Sequence, residues 1–483
     1  MLFLFFIIST SNSMIFSRYV LSTAIFFSLT LNLTAEAQKI NDAQVWLTKA
    51  DRTVLFQKQA HELRFGKQQN NNATISINDK ESFQTIDGFG FALTGGSAQH
   101  IVKMSAPARS KLLRELFATD DNNIGISYLR LSIGASDLNE KVFSYNDLPE
   151  GEQDLEQAKF DLGPDKKDII PVMKEILAIN PKIKIMGSPW SPPLWMKTAY
   201  DARGGMLKPE FYAAYAKYFV RYITEMKKEG IQIDAITVQN EPLHPGNNPS
   251  LLMVAPDQAL FVKKYLGPAF LASGIKTKII VYDHNADRPD YPISILDDAE
   301  ASKYIDGSAF HLYGGKIEAL TDVHNAHPDK HIYFSEQMVV ERPNATEINI
   351  VNPVKRLIIG ASRNWSRNVL EWNLAADPEY KPYTDRGGCS MCQGAVTIDG
   401  DNLTRNLAYY SVAHASKFVR PGSLRIASSE PTDLPNVAFK TPEGKKVLIV
   451  ANTGKSASAF NINISGQSLS ASLDAGAVAT YVW

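Results

Sequence analysis

From about residue 84 to residue 415, short apolar runs alternate with longer amphipathic stretches. Eight of the runs read as strands: Gln84–Phe89, Ile126–Ile133, Lys182–Gly187, Ile233–Gln239, Thr277–Tyr282, Gly307–Leu312, His331–Ser335 and Asn368–Trp372. Most are rich in Ile, Val and Tyr and lack a clean period of two, as strands covered on both faces should. Helical periodicity lies between several of them, as in Lys208–Glu229 and Asp257–Ser273. Eight strands with intervening helices over about 330 residues predict an α/β fold, a (β/α)8 barrel with long loops. The competing architecture, a doubly wound open sheet, would carry a glycine-rich phosphate turn after its first strand. Gly88-Phe89-Gly90 is followed by Phe91-Ala92-Leu93 instead of a third glycine.

After residue 415 the texture changes. Val437–Lys440, Val447–Ala451, Phe460–Ile464 and Ala477–Val482 are short strand-like runs separated by turn residues, and Phe460, Ile462 and Ile464 alternate with asparagines. This predicts a small all-β sandwich over 415–483. The strand-like stretch Val45–Phe83 is expected to complete it, within an N-terminal segment 38–83, before the chain enters the barrel at 84–414.

The first 37 residues follow different logic. Two apolar stretches, Leu2–Ile8 and Tyr19–Leu33, flank a polar patch with Arg18, and the second ends at Ala35-Glu36-Ala37, a small-x-small site before Gln38. That is the layout of a cleaved signal peptide, with Met14 as an alternative start. A membrane anchor is the alternative, but the run is shorter than the roughly 20 residues a span needs, and Asn32 and Thr34 interrupt its end. The chain is therefore expected to be exported, to the periplasm or the medium, without stable membrane insertion.

Composition narrows the partners. Of 483 residues, 50 are Lys or Arg and 51 Asp or Glu, so a formal charge of −1 leaves no basic footprint for nucleic acid. The 6 Trp, 19 Tyr and 23 Phe suit a sugar cleft, although a large core uses aromatics too. The two cysteines lie together in Cys389-Ser390-Met391-Cys392. A pair cannot supply the roughly four ligands of a structural zinc site, and the preceding Arg386-Gly387-Gly388 is a loop signal, so a local disulfide that shapes this loop is expected.

Barrel chemistry sits at the C-terminal ends of the strands. Those ends carry Asp87, Arg130, Trp190, Asn240-Glu241, Asp283-His284-Asn285, His311, Tyr313, Glu336 and Trp372. Glu241 and Glu336 stand out, because glycoside hydrolysis needs one carboxyl to protonate the leaving oxygen and another to attack carbon or activate water. A strand-end glutamate taken singly is as readily a loop anchor, so the surrounding residues decide. Thr237-Val238-Gln239-Asn240-Glu241-Pro242 sets an amide beside the first glutamate, and Tyr333-Phe334-Ser335-Glu336-Gln337 ends the seventh strand.

With Gln84-Thr85-Ile86-Asp87-Gly88-Phe89-Gly90, Leu129-Arg130-Leu131-Ser132, Gly187-Ser188-Pro189-Trp190-Ser191-Pro192-Pro193, Leu194-Trp195-Met196-Lys197-Thr198, Glu371-Trp372-Asn373-Leu374-Ala375 and His414-Ala415-Ser416-Lys417-Phe418, the sequence resembles glycoside hydrolase family 30 from about residue 80 to its end. That clan A family of retaining glycosidases holds lysosomal glucosylceramidase and microbial β-1,6-glucanases. The resemblance implies a β-glucoside or β-glucan substrate, no cofactor, Glu241 as acid/base and Glu336 as nucleophile. It further implies that Arg130 keeps Glu336 ionised, Tyr313 donates to the same carboxylate, Asn240 holds the sugar 2-hydroxyl, and Trp190, Trp372 and Asp137 surround the sugar. Core packing is the competing role for the tryptophans, above all Trp190. By the same reasoning Glu241 should have a raised pKa, the two carboxyls should lie about 5–5.5 Å apart, and Glu371 should be structural.

The sequence departs from glucosylceramidase at Leu93-Thr94-Gly95-Gly96-Ser97, at Leu243-His244-Pro245-Gly246-Asn247-Asn248-Pro249 and at the cysteine loop. The leaving group, ceramide or glucose, is thus left open, as are a xylan-directed member and a catalytically inactive sugar-binding protein. His324 and His327 have no carboxylate to complete a ligand set, and His311 reads as a hydrogen-bonding member of the pocket wall, so no metal is expected. N-terminal sequencing of the exported protein should begin at Gln38; a mature chain that keeps Met1 or Met14 would contradict the signal-peptide reading.

Overall fold

A computed structural model describes residues 42–67, 70–342 and 345–483, so the segment read as a signal peptide lies outside the described residues. Eight parallel strands close into a barrel: β1 Gly88–Ala92, β2 Tyr128–Ser132, β3 Lys184–Ser188, β4 Ala235–Thr237, β5 Lys278–Ala286, β6 Ile305–Gly315, β7 His331–Glu336 and β8 Ser366–Glu371. Each pairs with the next, and β8 closes on β1 in the register Asn368–Gly88 to Glu371–Phe91. The open doubly wound alternative is thereby excluded. Alternate side chains fill the interior: Tyr128, Met186, Ala235, Ile280, Ala309, Tyr333 and Leu370 form one buried cluster from seven strands, so the barrel is a packed core and not a pore.

The first strand begins later than its apolar pattern predicts. Gln84 and Thr85 end a 13-residue strand of the side sheet, Ala73–Thr85, and the barrel starts at Gly88. Asp87 therefore precedes β1. It makes two 2.9 Å bonds to the Arg367 guanidinium at the start of β8, at the end of the barrel opposite the strand C-termini, which corrects its placement among the site residues. The two glycines of this segment serve close packing: a Cβ on Gly90 would come within 1.9 Å of the Tyr128 carbonyl oxygen.

The expected helix over Lys208–Glu229 is observed at Tyr212–Lys228, where Tyr215, Tyr218, Phe219 and Tyr222 are buried on one face. The expected Asp257–Ser273 helix is split into Ala255–Phe261 and Gly267–Ala272 by a wider turn at Val262–Leu266. Among the described residues, no helix is long and apolar enough to cross a membrane.

The side domain is a nine-stranded sheet in the order Gln467–Leu473, Ser458–Ile464, Ala73–Thr85, Leu424–Ser428, Asn436–Lys440, Lys446–Ala451, Val478–Val482, Gln44–Thr48 and Gln57–Lys58. The strands Leu424–Ser428 and Gln467–Leu473 escape a search for Val/Ile/Tyr runs. The latter buries Leu469, Ala471 and Leu473 in alternation, but serines dilute its apolar content. Phe439 of this sheet meets Phe89 of β1 edge-on at 6.3 Å, and Trp46 and Phe56 pack with Phe418, joining the two cores.

Glu371, expected to be structural, ends β8 fully buried, with Ser411 donating a 2.6 Å hydrogen bond to it. Burial pushes its pKa up to about 8, opposed by that bond. A carboxyl raised in the folded state contributes stability that is complete below its unfolded value and is lost as pH rises through the folded one. Thermal melts of Glu371→Gln should accordingly differ least from wild type at pH 4 and exceed it at pH 9; a difference independent of pH would show that Glu371 keeps its ordinary pKa in the folded state.

Candidate active site

The C-terminal ends of the barrel strands surround a cavity of about 230 Å³ whose wall includes Asp137, Glu241, His284, Tyr313, Glu336 and Trp372. Several of these residues face inward because the strand ends are irregular. The register of β5 against β6 slips between Tyr282 and His284, and Tyr282 and Asp283 have φ of 72° and 66°. The β7 register slips between Phe334 and Glu336. A bulge lets consecutive residues face the same side, so Asp283 and His284, and likewise Ser335 and Glu336, all serve the interior. Glu241 lies beyond the short β4 at φ 44°, its N–H bonded to the Asp283 carbonyl at 2.9 Å. Left-handed backbone at such residues costs of order 1–3 kcal/mol each.

Beneath the cavity lies Arg130, its side chain fully closed to solvent. Every arm of the guanidinium donates: Nε to Ser188 at 3.0 Å, Nη1 to Glu336 at 2.5 Å, and Nη2 to Asn240 at 2.7 Å and Asp283 at 2.8 Å. Asp283 is equally buried and accepts from Thr237 at 2.6 Å and Ser335 at 2.5 Å besides Arg130. Against the cost of burial, Arg130, His311 and Ser335 hold its pKa far below the usual carboxylate range.

His311 links this base to the carboxylates above. Its Nε2 lies 3.1 Å from Asp283 Oδ1, and its Nδ1 lies 3.1 Å from Glu241 Oε1 and 4.0 Å from Glu336 Oε1. Although burial opposes it, the surrounding carboxylates raise the His311 pKa to about 9. The charged imidazole in turn holds Glu241 down against burial. Glu336 is pushed up by burial, with the charges of Glu241 and Asp283 adding to it and His311 and Arg130 opposing. Both directions differ from the sequence expectation of a raised Glu241 beside a plainly ionised Glu336. The reason is His311, which reaches Glu241 from another strand. His311 thus lies against both carboxyls and lowers each of them, which burial raises.

The remaining residues named from sequence fall as follows. Tyr313, 42% exposed, donates to Glu336 Oε1 at 3.0 Å. Asn240 is buried with its Oδ1 facing Arg130, which fixes the amide orientation. Asp137 lines the cavity, and burial together with the Glu336 and Glu241 charges raises its pKa to about 8. Trp372 is on the cavity wall, whereas Trp190 is 2% exposed, stacked on Trp372 at 5.5 Å and lying 4.8 Å from the Arg130 guanidinium carbon. Trp372 is itself only 3% exposed, so both rings are packed, with Trp372 the one that borders the cavity. Cys389 and Cys392 are joined in a disulfide on the cavity wall. His324 and His327, set aside as metal ligands, stack on Trp365 and pair with Asp297 respectively.

Sequence reading gave no role to Asp283 or His284 and missed Met338 on the wall, whereas His244 and Asn247 belong to the loop it expected on the leaving-group side. The Asp283-His284-Asn285 run at a strand end was the available signal for the first two.

Comparison with known proteins adds the family context. Residues 86–419 match the glycosyl hydrolase family 30 TIM-barrel domain and residues 422–481 the family 30 beta sandwich domain. The chain is 32% identical to an endo-1,6-β-D-glucanase of Trichoderma harzianum, covering 84% of this chain and 86% of the relative. It is 29% identical to the lysosomal acid glucosylceramidase of Mus musculus, covering 78% and 77%. The solved structure of the endo-β1,6-glucanase BT3312 superposes with a TM-score of 0.84 at 33% identity, over 92% of this chain and 99% of the other.

Because Arg130 is wholly enclosed, removing an anion beside it leaves an uncompensated buried charge. Asp283→Ala should destabilise the fold by about 3–5 kcal/mol, read as a lowered denaturation midpoint at unchanged slope. A loss under about 1 kcal/mol would mean that the guanidinium is paired adequately by Glu336 alone.

Proposed function

The chain belongs to glycosyl hydrolase family 30, and from that premise we propose that this β-glycosidase cleaves a β-glucan, β-1,6-linked glucan foremost, by double displacement. The observation that carries the proposal is the convergence of Glu241 and Glu336 on His311 Nδ1, at 3.1 Å and 4.0 Å, in the wall of a cavity scaled to a sugar ring. Glu336, oriented by Arg130 and Tyr313, attacks the anomeric carbon and forms a glycosyl ester. The Glu241–His311 pair delivers its proton to the departing oxygen and then takes one from the incoming water. The Asn240 amide, locked by Arg130, offers its NH2 group to the sugar 2-hydroxyl, a contact that strengthens as positive charge builds on the ring.

The leaving-group side favours a hydroxylated aglycone over a lipid. Asn247 Nδ2 is 3.4 Å from Glu241 Oε2, and His244 shares the same wall. These polar groups would lose hydration against a hydrocarbon chain and can bond to glucose hydroxyls. The likeness to two glucanases, one at 32% and one at 33% identity, points the same way.

Two measurements test this. Initial rates on β-1,6-glucan should exceed those on xylan and on vesicle-borne glucosylceramide; sugar binding without turnover of any of them would favour an inactive binding protein. With an activated aryl β-glucoside and azide, Glu241→Ala should give the β-glycosyl azide and Glu336→Ala the α-glycosyl azide. In the first the covalent intermediate still forms, whereas in the second azide enters from the vacated face. Exchanged products would exchange the roles of the two glutamates.

A further inference from the structure

His284 carries an observation that the hydrolytic reading does not use. Its side chain is 90% removed from solvent, and its Nδ1, buried with no hydrogen-bond partner among the described residues, lies 3.8 Å from Glu241 Oε1. An orphaned buried nitrogen costs free energy, and here the atom it faces already accepts from His311 Nδ1 at 3.1 Å. The three ligand atoms, one each from Glu241, His284 and His311, all lie within 4.8 Å of one another. In a tetrahedral zinc site with bonds of about 2.0–2.1 Å, neighbouring ligand atoms are separated by about 3.3 Å, and the two measured separations of 3.1 and 3.8 Å bracket that value.

We propose that Glu241, His284 and His311 form a binding site for a tetrahedral divalent metal ion of the zinc class, and that its occupation takes Glu241 out of catalysis. Two imidazoles and a carboxylate are a donor set that zinc favours, and the cavity leaves the fourth position to water. The surroundings match what such sites require beyond the ligands. Asp283 Oδ1 accepts from His311 Nε2 at 3.1 Å, which turns Nδ1 toward the ion, as a carboxylate behind a ligating histidine does. The β5 bulge aims His284 into the same space as Asp283, although the two are adjacent in sequence. Binding replaces the hydrogen shared by Glu241 and His311, and that proton leaves to solvent. With both histidine donors and the carboxylate oxygen engaged, no proton remains for a leaving group. Binding itself does not depend on the role given to Glu241. The loss of activity does rest on the proposed function, so the two are read separately.

The test uses the full chain, stripped with a chelator and titrated with ZnCl2 by calorimetry and with Co2+ by visible absorption. One ion per chain is expected, with the intense visible band of four-coordinate Co2+. His284→Asn should weaken binding at least about 10-fold, the lower end of what even outer-sphere partners contribute, and should abolish the band. Glu336→Gln keeps all three ligands and should bind as wild type does even where turnover is lost. Zn2+ should also inhibit aryl β-glucoside hydrolysis by the wild-type chain, reversibly on adding chelator. Absence of binding, or binding that His284→Asn leaves unchanged, overturns the site. An ion bound at the site with undiminished turnover overturns the inhibition.

Discussion

A guanidinium placed where no water reaches it must have every donor met and its charge balanced, or the fold does not form. Arg130 is in that position, and the way it is satisfied organises the site. Its partners come from four other strands or their ends: Ser188 from β3, Asn240 beyond β4, Asp283 from β5 and Glu336 from β7. Because one planar cation binds them all, the carboxylates of Glu241 and Glu336 cannot be arranged independently. Glu336 is fixed by direct pairing, and Glu241 is fixed through Asp283 and His311. Such a pair contributes little net stability compared with an apolar replacement. What it supplies is geometry held by charge-assisted bonds, which are shorter and more directional than neutral ones.

Regular strands alone could not feed this network. Successive side chains of a strand point to opposite faces, yet Asp283 with His284, and Ser335 with Glu336, all turn inward. The register slips in β5 and β7 solve that conflict, and the left-handed conformations at Tyr282, Asp283 and Glu241 are part of the cost. The packed interior pays that cost: below the irregular ends, residues such as Met186, Ile280 and Tyr333 fill the barrel completely. The loops above are braced in turn. Asn248 donates to Asp385, Thr384 donates its hydroxyl to the Asn248 carbonyl and its backbone N–H to the Asp137 carbonyl, and Arg386 forms a double ion pair with Asp201. The cavity wall is therefore built from segments that also hold one another.

The same network sets the protonation of the site. A carboxylate pair in isolation shares its proton according to burial and mutual repulsion. Here a third group intervenes. Asp283 stabilises the charge on His311, and His311 holds Glu241 low while Glu336 rises with burial. Glu241 and Glu336 are thus driven in opposite directions by the same buried surroundings.

How much of this could be read in the chain follows from the range of each signal. Eight apolar runs with helical stretches between them are local patterns, because hydrophobic periodicity records which face of each element is covered. The barrel was legible from them, and Glu241 and Glu336 were legible as strand-end carboxylates within the Asn240-Glu241-Pro242 and Ser335-Glu336-Gln337 settings. Boundaries were less so. Gln84 and Thr85 went to the side sheet because that strand continues past its apolar part, and the serine-diluted Gln467–Leu473 left too faint a pattern to see. What only the tertiary structure decided is who meets whom across the barrel. Asp87 lay at the wrong end, Trp190 behind Trp372, and His284 and His311 beside Glu241, although 43 and 70 positions separate them from it in the chain. Hydrogen bonds and Coulomb forces act over a few ångströms of space and leave no periodicity in the sequence. Element types are thus written in the chain, while the protonation of the site is settled by closure of the barrel.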